Sequence, residues 1–128
     1  MNKEKLTVLY KKYELTPEDV FKHQHYLIIT RGGIDKIQAK AKINITYDVI
    51  NCAKDFCVVK ANGKHDELTI ETFGSALKGE DFKSGNTNSW YVMEMAEKRA
   101  MSRAVLKLTG FYELGVFGED ESEDFKKK

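Results

Sequence analysis

Arg99, Arg103 and Lys107 recur at i, i+4 and i+8 within residues 89–110, Ser-Trp-Tyr-Val-Met-Glu-Met-Ala-Glu-Lys-Arg-Ala-Met-Ser-Arg-Ala-Val-Leu-Lys-Leu-Thr-Gly. At about 100° per residue they form one cationic stripe along a helix. Other cations precede them: Arg31, Lys36, Lys40 and Lys42 in one segment, Lys60 and Lys64 in another. Aromatic residues are interleaved, namely Tyr47, Phe82, Trp90 and Tyr91. Cations neutralise phosphates and rings stack on bases, so the combination suits a single-stranded polyanion. Each feature also has a plainer use. A charged outer face is ordinary for a surface helix, and Glu94 and Glu97 dilute the stripe. Trp90 and Tyr91 also suit a clamp fastening the helix start to a core, and Tyr47 belongs to an alternating apolar set.

No catalytic constellation accompanies these residues. His23 and His25 can reach one metal ion only from a strand or turn, and no carboxylate or thiol stands at a ligand spacing from them or from His65. Cys52 and Cys57 form no Cys-x-x-Cys motif. They lie five apart, and in one regular strand that odd spacing points them to opposite sides, so they are expected to be reduced thiols that cannot pair. Gly32-Gly33 before a helical pattern can hold an anion, yet it matches neither a phosphate loop nor a dinucleotide fingerprint. The expectation is a binding protein, with no catalytic residues, metal or cofactor.

The chain's 128 residues are enough for one domain with a modest core. Its 41% hydrophobic and 32% charged residues fit an ordinary globular protein. No apolar run reaches membrane-spanning length and the first residues lack a signal-peptide core, which points to the cytoplasm. The net charge of +1 conceals an uneven distribution. Residues 22–64 carry eight Lys/Arg against three Asp/Glu, whereas residues 119–124 carry five acids and no base. A basic body with an acidic end is common among nucleic-acid binders, and a solubilising tail is the equally good alternative.

The elements that must position these groups follow from hydrophobic spacing. Residues 3–13 suit a helix with Leu6, Leu9, Tyr10 and Tyr13 on one side. Thr16-Pro17-Glu18-Asp19 reads as a second helix start running to about His23. Tyr26–Thr30 is a short strand, and Ile34–Lys42 is helical. From Ile43 the period becomes two: Ile43, Ile45, Tyr47 and Val49 alternate with polar residues in a half-buried strand. Phe56–Ala61 is a second strand, Asn62-Gly63 a type I′ hairpin turn, and Lys64–Phe73 a third strand. Residues 74–89 read as loop before the long helix. On that helix Ala100, Met101, Ala104, Val105 and Leu108 share an apolar arc, while Ala96, Ala100 and Ala104 permit close approach to a sheet. The segment Gly110–Gly118 should fold back on the core. The fold class is therefore α+β: a three-stranded antiparallel β-meander packed against one long helix, a β-β-β-α core, with short N-terminal helices. Residues 1–118 form the single domain, and 119–128 an acidic, disordered tail.

Three segments together resemble the Rad-fifty-two/Erf/Red-beta superfamily of single-strand annealing proteins. They are Ile29-Thr-Arg-Gly-Gly-Ile-Asp-Lys-Ile-Gln-Ala-Lys-Ala-Lys42, the meander with its Lys60-Ala-Asn-Gly-Lys64 hairpin, and Met95-Ala-Glu-Lys-Arg-Ala-Met-Ser-Arg-Ala-Val-Leu-Lys-Leu-Thr-Gly-Phe111. The resemblance spans about residues 27–111. It implies a ring or filament of identical subunits that holds single-stranded DNA in a basic groove. Complementary strands are annealed there without a nucleotide cofactor, in phage or mobile-element recombination and repair, inside the bacterial host if the protein is phage-encoded. The groove role carries over to Arg99, Arg103 and Lys107, and less directly to Lys60, Lys64 and Arg31; Lys36 and Lys40 are further DNA-binding candidates, and Trp90, Tyr91 and Tyr47 candidates for base stacking. Two alternatives stand beside it. A double-stranded-RNA-binding module shares the helix–three strands–helix order but uses lysines at the start of its last helix, where Trp90–Met95 has none. An oligomeric assembly or regulatory protein needs no nucleic acid, and the apolar Phe111–Phe117 segment would serve it.

Overall fold

The computed structural model describes residues 3–23, 26–79, 85, 87 and 90–119. Helix α1 (Lys3–Lys12) buries Leu6, with Tyr13 just past its end, and rests Leu9 and Tyr10 partly on the core. It stops where Glu14 turns to φ 57° and Leu15 N donates to Tyr10 O at 2.9 Å, a left-handed helix cap. The expected second helix after Thr16 is absent. Asp19 N donates to Thr16 O, Thr16 N donates to Asp19 Oδ2 at 2.9 Å, and the chain continues as strand β1 (Val20–His23). The same Asp19 Oδ2 also accepts from Lys36 Nζ at 2.7 Å, so Thr16 closes a turn here instead of capping a helix, and Val20–His23 pairs antiparallel with β2 (Tyr26–Ile29).

Helix α2 (Arg31–Ala41) begins three residues earlier than its apolar spacing indicates, because Thr30 Oγ1 accepts from Gly33 N at 3.1 Å and serves as N-cap. The meander follows as β3 (Asn44–Cys52), β4 (Phe56–His65) and β5 (Leu68–Leu77), in the order β3-β4-β5. Helix α3 (Val92–Thr109) then ends at Gly110, and a 3-10 turn (Tyr112–Leu114) leads to β6 (Val116–Gly118), which lies parallel to β2. The α+β class and the β3-β4-β5-α3 unit match the sequence reading. The second sheet, β1-β2-β6, was not foreseen. Among the described residues no helix is long and apolar enough to cross a membrane.

That second layer changes the character of α3. Ala96, Ala100 and Ala104 face the meander, while Met101, Val105, Leu106 and Leu108 join the cluster built with Leu6, Tyr13, Ile34, Ile37 and Phe111. Eleven of its eighteen residues are buried, Arg99 and Ser102 included, so the helix is covered on nearly every side rather than offering one open face.

Four details of the meander depart from the sequence reading. Asn62 and Gly63 lie inside β4, paired with Glu71 and Ile70, and the hairpin turn is at Asp66-Glu67. Gly63 packs closely under α3: a Cβ there would lie 3.0 Å from Leu108 Cδ1 and 3.4 Å from Ala104 Cβ, so the Leu108 side chain would have to shift. Strand β3 is an edge that α3 barely reaches, so Tyr47 and Val49 stay 39% and 54% exposed although they share the helix-facing side. Finally, a bulge between Val49 and Asn51 shifts the register and sets Cys52 directly opposite Cys57 on the adjacent strand. The two thiols are therefore neighbours, not residues of one strand pointing apart. β5 also extends to Leu77, into the segment read as loop. Phe82, His25 and residues 120–128 of the expected tail lie outside the described residues.

The Asp19–Lys36 contact ties the chain before β1 to α2 and carries a pH signature. Asp19 is 8% exposed, and the Lys36 hydrogen bond, followed by that from Thr16, holds its carboxyl below the ordinary value. A depressed folded pKa gives stabilisation that is complete above the unfolded value and lost as pH falls through the folded one. Asp19→Ala is expected to cost about 2 kcal/mol at neutral pH. It should also make urea midpoints less sensitive to acid; a variant with the wild-type acid slope would contradict this.

Candidate nucleic-acid interface

Most of the predicted site residues fall in four places, with Arg31 and Tyr47 apart from them. Arg99 and Arg103 reach from α3 over the outer edge of β5. Arg99 is 3% exposed and its Nη1 donates to Ser75 O at 2.7 Å; Arg103 Nη1 donates to Phe73 O at 2.9 Å. Lys107, at the far end of the stripe, is exposed and lies 5.1 Å from the centre of the Tyr112 ring. The stripe is thus partly a link between helix and sheet.

Lys60 and Lys64 lie on the face of the sheet turned away from α3, because Cys57, Val59, Ala61 and Gly63 take the helix side of β4. Lys60 Nζ sits 3.1 Å from Glu71 Oε2 and 3.8 Å from Asp48 Oδ2. Lys64 is exposed in an open depression that Asn44, Thr46, Asn62, Thr69 and Glu71 also line. Lys36 and Lys40 face a third place, a cleft of about 560 Å³ with Tyr13 and Glu14, where Lys36 meets Asp19 and Lys40 meets Glu14. Arg31 opens α2, and its backbone N–H donates to Glu119 Oε1 at 3.0 Å. Tyr47 projects on the helix side of β3. Burial and then the Glu97 carboxylate push its phenol above the ordinary value.

Trp90 and Tyr91 mark the fourth place, where the structure adds residues that sequence reading missed. They precede the first turn of α3 and are 57% and 69% exposed. Lys78 Nζ lies 4.3 Å from the Trp90 ring centre and Lys54 Nζ 5.4 Å. Their convergence has a structural cause. Lys54 sits in the two-residue turn between β3 and β4, Lys78 follows β5, and Lys78 N donates to Asp55 O at 2.7 Å. That bond joins two sheet ends directly beside the helix start. Only pairing across the sheet brings positions 54, 78 and 90 together, so no local spacing announces them.

The arrangement can stack a planar ring on Trp90 or Tyr91 and neutralise nearby phosphates with Lys54 and Lys78. Leaving an indole more than half in water beside two ammonium groups forgoes burial that a core residue would have. Among the described residues no cluster of three or more His, Cys, Asp or Glu side chains is placed to hold a metal ion. The fold and its surface thus define a small α+β protein with an exposed aromatic–cationic cluster at one end of a meander. Comparison of the chain with protein-family models, curated proteins and solved structures finds no match in any of the three.

Proposed function

We propose that this protein binds single-stranded DNA and anneals complementary strands as a homo-oligomer, without a nucleotide cofactor. The observation that carries the reading is the Trp90 ring, largely exposed and flanked by the ammonium groups of Lys54 and Lys78, with Tyr91 beside it. A base stacking on the indole displaces one ammonium from the ring onto the adjoining phosphate. Phosphate contacts are sequence-independent and leave base edges open for pairing. The order α2–β3–β4–β5–α3 supports the same reading through its likeness to the annealing proteins. Repetition of a weak site around an assembly raises its effective concentration along one strand. Lys107, Arg103 and Lys64 are the remaining stretches of such a path, reached from neighbouring subunits. A second reading, assembly without nucleic acid, is favoured by Val49, Ile50, Phe73 and Leu77, which are 54%, 55%, 49% and 39% exposed on the edge and outer face of the meander.

Trp90 is the chain's single tryptophan, so its fluorescence reports the proposed contact directly. Adding an unstructured oligonucleotide at low salt should quench it, and the affinity should fall steeply as salt rises. Trp90→Ala should weaken binding about 5- to 150-fold, the range for loss of one stacked base. Lys54→Ala with Lys78→Ala should reduce the slope of log affinity against log salt by about 1.4, two contacts at about 0.7 each. Fluorescence and particle mass that ignore oligonucleotide at both low and moderate salt would leave the assembly reading in its place.

A further inference from the structure

Cys52 and Cys57 face one another across the β3–β4 ladder, next to the turn that carries Lys54. Ala53 N donates to Phe56 O at 2.6 Å, which makes Ala53 and Phe56 a hydrogen-bonded pair. The adjacent pair, Cys52 and Cys57, therefore falls between ladder bonds, where facing Cα atoms approach to about 4.5 Å. That lies within the about 4.4–6.8 Å span a disulfide requires, and directly opposed residues project to the same side. The bulge after Val49 creates this match; without its extra residue Asn51 would face Cys57. The two positions differ in access. Cys52 is exposed, whereas Cys57 is fully buried with its Sγ 3.6 Å from Met93 Sδ.

We propose that Cys52 and Cys57 form a reversible dithiol–disulfide couple, oxidised by a low-molecular-weight disulfide such as oxidised glutathione and reduced by the corresponding thiol. The thiolate of exposed Cys52 attacks one sulfur of the oxidant, breaking its S–S bond and releasing one glutathione, which takes up a proton. Cys57 then loses its proton to solvent and its sulfur attacks Cys52 Sγ, breaking the mixed disulfide and releasing the second glutathione. Two protein thiols lose two electrons and two protons, and one glutathione disulfide becomes two thiols. Burial, and then the neighbouring Cys52 thiol, push the Cys57 thiol up to about 11. Glu94, on the adjacent helix α3, acts in the same direction. The second step is therefore the slower one at neutral pH and quickens as pH rises. Closure fastens the free edge strand to β4 at the base of the Lys54 turn, whatever the cluster beside it binds.

The full-length chain, equilibrated over a range of reduced-to-oxidised glutathione ratios, quenched in acid, alkylated and weighed intact, tests this. The oxidised monomer should lose about 2 Da, resist alkylation at both cysteines and yield one peptide pair bridged between Cys52 and Cys57. Cys57→Ser should instead accumulate a glutathione adduct on Cys52, and Cys52→Ser should slow all oxidation at least about tenfold. Because Cys57 is buried, the wild-type time course supplies the same information without a variant. A Cys52 adduct should accumulate near about pH 6 and convert to the internal disulfide when the pH is raised to about 8.5. An adduct that persists at the higher pH, or oxidation that yields only Cys52-linked dimers, would overturn the proposal.

Discussion

Gly74→Ala is expected to lower stability by about 3 kcal/mol, and Gly74→Val to leave little folded protein, since overpacking alone costs about 1–3 kcal/mol and both elements here meet through backbone. Gly74 sits on the helix side of β5, where an added Cβ would lie 2.2 Å from Ala96 O and 2.5 Å from Ala100 N. No rotamer change relieves such contacts; the helix itself must move. The approach is also fixed by polar chemistry, because Thr72 Oγ1, 3% exposed, donates to Ala100 O at 2.6 Å. Lifting α3 off the sheet to admit a methyl group would break that bond and part Ala61, Ala100 and Ala104, which are all fully buried. For a domain of this size the alanine variant should melt about 10 °C lower. Urea unfolding followed by circular dichroism measures the change directly. A loss under about 0.5 kcal/mol would mean the helix has room to retreat.

The success of the sequence reading at α3, and its failure there, have one origin. Spacing at 3.6 residues identifies which side chains share a face, and it placed Ala100, Met101, Ala104, Val105 and Leu108 inward as they are found. It does not reveal whether another layer covers the opposite face. Here β1, β2 and β6 have four, four and three residues, and β6 reaches β2 only through parallel pairing across most of the chain. Strands that short carry little periodic signal, so of this sheet only β2 is legible, as the strand expected at Tyr26–Thr30, and its pairing with β1 and β6 is not. The meander was legible from its alternation, but its register was not. Asn62-Gly63 has the composition of a turn, yet both residues pair with β5 and Gly63 lies close under Leu108, so strand pairing and packing won over local preference. The bulge at Ile50 had the same effect on the cysteines. It altered which residues meet without leaving a mark in residue type. Among the candidate binding groups, Trp90 and Tyr91 stand out in the sequence as adjacent rings at a helix start, although their exposure, as against a clamp on the core, is seen only in the structure. Lys54 and Lys78 could not, because only the bond from Lys78 to Asp55 brings them to the indole.

Arg99→Ala is expected to lower stability by about 3 kcal/mol while the protein that remains folded binds oligonucleotide within about threefold of wild type. The reasoning starts from β5, whose carbonyls at Phe73 and Ser75 are two residues apart and therefore point the same way from the sheet edge. Arg99 and Arg103 stand four apart on α3, one helical turn, so their guanidinium groups arrive at the two carbonyls in register. In effect the helix supplies the donors that a further strand would bring, and shields this edge from pairing with another chain. Arg99 is the deeper of the two, and its aliphatic stem fills space beside Gly74. Truncation removes a charge-assisted hydrogen bond to Ser75 and opens a buried void at once. Arg99→Lys keeps the charge but not the planar, forked donor, and should recover less than half of the loss. Arg103→Ala, at a more exposed position, should cost about 1 kcal/mol or less. The decisive comparison sets denaturation midpoints against oligonucleotide affinity for the same three variants. If Arg99→Ala left the midpoint unchanged and abolished binding, the guanidinium would belong to the DNA path and not to the sheet edge.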